Sequence, residues 1–155
     1  SSDVCSSDLV VQSELYKNQL NDDNFPELAN RFLCSSLISQ NISEYAEAGW
    51  DCVKAAWVCD DENNNDSAKK CRLKAVALFN KAKEHDQEFS QSEGLLIADL
   101  LRRSGEFYLA RDYCKEELEK ETDETLLKII KFEKMLIDNY DSACHTIDEA
   151  LKEDS

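Results

Sequence analysis

Glycine and proline are nearly missing from this sequence, at three and one in 155 residues. A many-stranded sandwich or barrel needs far more turn residues than that. Good helix formers (Ala, Leu, Glu and Lys) dominate instead, so the expected fold class is all-α. Positive charge is also scarce. Eighteen Lys and Arg stand against 33 Asp and Glu, a net charge of -15, which opposes the phosphate neutralisation that nucleic-acid binding depends on. No nucleic-acid partner is expected. The acidic surface is a solvated exterior that could also attract basic segments. No apolar run approaches the roughly 20 residues that cross a bilayer, and no charged start followed by an apolar stretch marks a secretory signal. No membrane partner is expected, and the predicted location is cytoplasmic.

Histidine is limited to His85 and His145. Neither has a Glu three residues before it or a His four residues away, so helical di-iron and zinc-protease spacings are both missing. His145 does lie one helical turn from Asp141 and Glu149, the spacing of a surface pair. The glycines at 49, 94 and 105 are isolated, so there is no phosphate-cradling loop. There is no Cys-x-x-Cys pair. Cys52 and Cys59 share a helix face, and Cys144 adjoins His145, but neighbours on a helix point apart and cannot grip one ion. No metal and no cofactor are expected. An enzyme using Cys and His would need an accessible thiol beside His85 or His145, and no local signature provides one. Acidic residues are abundant, but a working carboxylate pair needs a sheltered cleft and most of them fall on exposed faces. The chain is therefore expected not to be an enzyme.

The seven cysteines (5, 34, 52, 59, 71, 114 and 144) are odd in number and widely spaced. Secreted disulfide frameworks are not built that way, and the thiols are expected to be reduced and mostly buried. The only Met is Met135, so Ser1 is expected not to be a native start and the chain to be a fragment. The opening residues 1–9 resemble a peptide produced when adapter DNA is translated, and they are set aside with Cys5.

What remains is organised by helical periodicity. Residues 1–24 form a polar lead-in with a short helix over Val11 to Leu20. Asn24 is a candidate cap for a helix from Pro26 to Gln40, with Leu28, Phe32, Leu33 and Leu37 on its buried stripe. Ser43 is a candidate cap for a helix to Asp60 that places Ala46, Trp50, Val53 and Trp57 on one face. An Asn-rich loop over Asp60 to Asp66 leads to a helix over 67–84 carrying Leu73, Val76, Phe79 and Ala82. Gly94 to Lys120 encloses two helices around a glycine turn. Thr122 or Asp123 caps a helix through Leu126, Ile129, Ile130 and Leu136, and Asp138-Asn139-Tyr140 turns the chain into a last helix ending near Lys152. Trp50, Trp57, Phe79, Phe107, Phe132 and Tyr140 are spaced as core aromatics.

Gly105, Phe107 and Ala110 recur as Asp138, Tyr140 and Ala143 at a constant offset of 33 residues, which is the mark of a repeat. Tyr140, Ala143, Ala150 and Leu151, with Ala98 and Leu101 in the preceding helix, extend the pattern. On these residues the sequence resembles the tetratricopeptide repeat, whose small positions let paired helices pack closely. The resemblance spans roughly residues 44 to 152. It divides a helical domain over 25–155 into a degenerate hairpin at 43–84 and hairpins at 92–120 and 123–152. Glu117 stands where the repeat has a second alanine, and Lys131 and Lys134 where it has small and bulky residues. A weaker resemblance, carried by Ala55-Ala-Trp-Val-Cys-Asp60, is to uncharacterised bacterial proteins whose zinc-ribbon-like start precedes helices of this type.

The tetratricopeptide resemblance implies a short α-solenoid of antiparallel hairpins. It implies a protein-interaction or scaffold module that holds a peptide or helix of a partner protein in a concave groove. The family's groove positions fall here on Asp99 and Arg102, with Arg103 adjacent. The Arg102-Arg103 pair could receive a carboxylate or acidic peptide, or could simply answer the dipole at its helix's C-terminus. The weaker resemblance implies a dimerisation or sensor domain of a larger metal-binding or regulatory protein.

Overall fold

The computed structural model describes residues 8–152, which are helical without any strand among them. Cys5 and most of the set-aside opening lie outside the described residues. The chain divides into two compact units between Phe89 and Ser90, within the connection expected after the helix that ends at Glu84.

The first unit holds a short helix α1 (Glu14–Leu20), then α2 (Glu27–Asn41), α3 (Tyr45–Asp61) and α4 (Asn65–Glu84). Each packs on the next. The apposed faces are made of small residues. Ala48, Cys52, Ala55, Ala56 and Cys59 of α3 and Ala68, Cys71, Ala75 and Ala82 of α4 are all buried, so the two helix axes can approach closely. Phe79 supplies the bulk. Its ring lies edge-on to Trp50 at 5.5 Å and stacks on Phe89 at 4.4 Å, and the Trp50 indole N–H donates to the Phe89 carbonyl at 3.0 Å. Trp57 departs from its expected place in the core. It is half exposed, as is Leu28, because the buried face of α3 runs through its alanines and cysteines. Cys34, Cys52, Cys59 and Cys71 are buried free thiols, and burial pushes each of them up from its ordinary pKa.

The second unit holds α5 (Glu93–Arg103), α6 (Phe107–Lys120), α7 (Glu124–Asp138) and a short α8 (Ile147–Lys152). Helix α5 packs on both α6 and α7, α6 on α7, and α7 on α8. Ile97, Ala98, Leu101, Ala110, Cys114, Ile130 and Ile137 form its core. Glu117 explains itself here. From α6 it reaches the first turn of α5, where its Oε1 accepts the Gly94 N–H at 3.1 Å and its Oε2 accepts the Ser92 hydroxyl at 3.2 Å. The carboxylate thus serves as a cap borrowed from a neighbouring helix. A Cβ at position 94 would overlap it, so glycine is required there by close approach.

Among the described residues, five helices end in the same way. Ser43, Asn63, Asp86, Gly105 and Tyr140 adopt left-handed backbone, with φ between 54° and 80°. The next N–H then returns to a carbonyl in the last turn: Glu44 to Ser39, Asn64 to Cys59, Gln87 to Ala82, Glu106 to Leu101, and Asp141 to Leu136, all at 2.8 to 2.9 Å. This is the Schellman termination. It corrects three expectations. Ser43 closes α2 instead of capping α3, whose cap residue is Glu44. Asn64 caps α4 by accepting the Ser67 N–H, so the Asn-rich loop is shorter than the sequence suggested. Tyr140, not Asp138, occupies the position of Gly105. The segment 141–146 is then non-helical, Ala143 is exposed, and the last helix begins only at Ile147. Tyr140 is exposed too, although its ring meets Phe107 edge-on at 5.3 Å. Asn24 uses its backbone carbonyl to receive Asn64 and Ser67, while Pro26 stands at the start of α2 without a side-chain cap.

Candidate functional site

The second unit carries an open cleft of about 360 Å³. One wall is Leu95 and Leu96 of α5, the other Leu126, Ile129, Phe132 and Leu136 of α7, and Thr146, Ile147 and Ala150 close one end. Except at Leu136 and Ala150, these apolar side chains are half-buried or exposed. The cleft also has a charged floor, made of Asp99, Arg102 and Glu133.

Arg102 organises that floor. Its side chain is 2% exposed, and its donors are directed one by one. Nε donates to Glu133 Oε1 at 2.7 Å and Nη2 to Asp99 Oδ1 at 2.9 Å. Nη1 donates to the carbonyls of Asp141 and Ala143 at 2.7 and 2.8 Å. Burial works against its charge, but Glu133 and Asp99 outweigh that and hold its pKa above the ordinary value. The fork geometry of a guanidinium makes this possible, since a lysine could not hold two side chains and two carbonyls at fixed angles. The last two bonds also explain why 141–146 is not helical: these carbonyls are spent on Arg102 instead of on a helix.

Glu133 sits beside Asp99 with only one guanidinium between them. Burial first, and then the neighbouring Asp99 charge, push its pKa up to about 7 against the pull of Arg102. Two carboxyl groups sharing one cation cannot both ionise cheaply. At one end of the cleft, His145 engages Glu149 through Nδ1 at 2.7 Å and Asp141 through Nε2 at 2.9 Å, and its ring stands edge-on to Phe132 at 5.8 Å. The Glu149 bond is the main reason its pKa is raised, and the Asp141 bond adds to that against partial burial. The spacing of these three residues suggested such a pairing, although Asp141 and His145 lie outside a helix.

Of the residues singled out from the sequence, the structure brings Asp99 and Arg102 together in the cleft. Arg103 is half-buried and does not line it. Arg102 is not an open receptor for an incoming carboxylate, because four of its N–H groups already have partners inside the unit. Sequence reasoning missed Glu133. Its signal was nevertheless present, as an acid on the stripe Ile130, Glu133, Ile137 of an otherwise apolar helix face. Among the described residues lining the cleft there is no cysteine. Cys114 is buried nearby on α6, its thiol pushed up to about 12 chiefly by desolvation. Among the described residues, no three His, Cys, Asp or Glu side chains converge as a metal site would require, and no helix is long and apolar enough to cross a membrane.

A family model described as an uncharacterized protein conserved in bacteria (DUF2225) matches residues 16–152. The match covers nearly all of both units, and the chain belongs to this bacterial family. No curated protein and no solved structure matches it.

Proposed function

We propose that the chain is a protein-interaction module, and that the cleft of its second unit receives a peptide or helix of a partner protein. The observation that carries this reading is the run of half-buried Leu95, Leu96, Leu126, Ile129 and Phe132 along two helices. Apolar walls with a few polar groups between them are the usual make-up of a binding site, and grooves between helices commonly take another helix. The tetratricopeptide-like pairing of α5 with α6 around Gly105, and of α5 with α7, is in keeping with a stack of hairpins. Buried free thiols support a reducing, cytoplasmic setting.

A peptide-display selection against the chain tests this, with counter-selection on a Leu96→Gln/Ile129→Gln double variant that keeps the helices but makes the walls polar. The expected outcome is enrichment of peptides with apolar residues at helical spacing, bound at about micromolar Kd and weakened about tenfold or more in the variant. No enrichment, or binders indifferent to the two changes, would sink the reading.

A further inference from the structure

Resting on the reading of the cleft as a peptide groove, we infer that its occupant is a basic amphipathic segment of a partner protein, which delivers a lysine or arginine side chain to Asp99 and Glu133 while its apolar face lies on the leucines.

The case is one of charge complementarity inside an apolar cleft. Its floor holds two carboxyl groups and one guanidinium, so the carboxyl groups outnumber the cations by one. That deficit is structural. Arg102 pins both carboxyl groups against one guanidinium, an arrangement that favours a retained proton whenever no further cation is present. An ammonium or guanidinium placed there does the work of that proton without forcing a carboxyl group to stay neutral. Asp99 is reachable, with 42% of its side chain exposed.

The cations already present cannot serve the opposite ligand. Four of the Arg102 donors are committed within the unit, and His145 spends both ring nitrogens on Asp141 and Glu149. An acidic peptide would therefore meet the carboxylates of the floor with no unpaired cation among the lining residues, and would have to break existing ion pairs to gain one. Like-charge juxtaposition of this kind selects against the wrong partner as strongly as good contacts select for the right one. The net charge of -15 draws the same class of segment toward the surface.

Three fluorescently labelled helical peptides with identical leucine spacing, and with Lys, Gln or Glu at every polar position, separate the possibilities. Each is titrated by anisotropy with the full chain at about 150 mM salt, where surface attraction is largely screened. The Lys peptide is expected to bind about tenfold tighter than the Gln peptide, and the Glu peptide most weakly. Asp99→Asn is expected to shrink the gap between the Lys and Gln peptides at least about fivefold. Asp112→Asn, which changes an exposed acid of α6 outside the cleft, should leave it intact. Glu133→Gln, read only after circular dichroism shows native helix content, should narrow the gap as Asp99→Asn does. Equal binding of the Lys and Gln peptides, or a gap that Asp112→Asn reduces as much as Asp99→Asn does, overturns the inference and leaves the groove standing. Failure of all three peptides to bind overturns both.

Discussion

Glu133 is a residue whose protonation and position are linked. It lies on the buried face of α7 and holds Arg102 at 2.7 Å, yet its pKa is raised from the ordinary 4.5 to about 7. A carboxyl group that binds its proton more tightly in the folded state stabilises that state at low pH. The contribution is complete below about 4.5 and is lost as pH rises through about 7. Urea denaturation of wild type and Glu133→Gln at several pH values reports it together with its coupling to Asp99, since titrating groups remote from the site cancel in the difference. The wild-type advantage is expected to fall by about 3 kcal/mol between pH 4.5 and pH 8. A difference that stays flat would mean that Glu133 is ionised throughout.

At this scale the sequence was only partly legible. Asp99 and Arg102 could be chosen as groove residues because the repeat pattern assigns positions by register. That register gives no depth, however, so it could not show that Arg102 is buried and its donors occupied while Arg103 stays out of the cleft. Trp57 shows the opposite failure. An aromatic on a helical stripe is usually core, but on α3 the closest packing is made by Ala48, Cys52, Ala55 and Cys59, and a tryptophan does not fit that contact.

Helices were the most legible elements, because apolar spacing at three and four residues fixes a helix wherever it persists. Their ends were not. Of the five left-handed terminations only Gly105 uses glycine, and a serine, an asparagine, an aspartate and a tyrosine do the same job elsewhere. Non-glycine residues pay about 1 kcal/mol or more for that conformation, and Asn and Asp somewhat less. Ser43→Gly is therefore expected to raise stability by up to about 1 kcal/mol, and Gly105→Ala to lower it by about the same amount. Thermal melts of the two variants check this. A Ser43→Gly protein less stable than wild type would show that the relief of backbone strain is smaller than the freedom glycine adds to the unfolded chain. The late start of α8 could not have been read from local sequence at all. It follows from bonds between Arg102 and carbonyls some forty positions away in the chain.

Over the whole molecule, the excess of acid is the dominant fact. Exposed pairs such as Arg31 with Glu27 offset little of it, because both partners are mostly in solvent. Like-charge repulsion therefore opposes the folded state, and salt screens repulsion and surface pairs alike. Raising sodium chloride from about 20 to about 200 mM is expected to raise the melting temperature by a few degrees. A fall would mean that paired surface charges outweigh the net imbalance. The composition made this legible from the start. The boundary at Phe89 was not legible beyond a connecting segment, because loop composition alone does not show where contacts stop.

The cap that Glu117 lends to α5 has a consequence for the order in which the second unit can assemble. An eleven-residue helix is too short to persist alone in water, and the first turn of α5 takes a cap from Glu117 on the far side of the Gly105 turn. The start of α5 is therefore secured only when α6 has folded back against it. Nucleation of the one helix and closure of the pair become a single event, so the hairpin should appear and vanish as a whole.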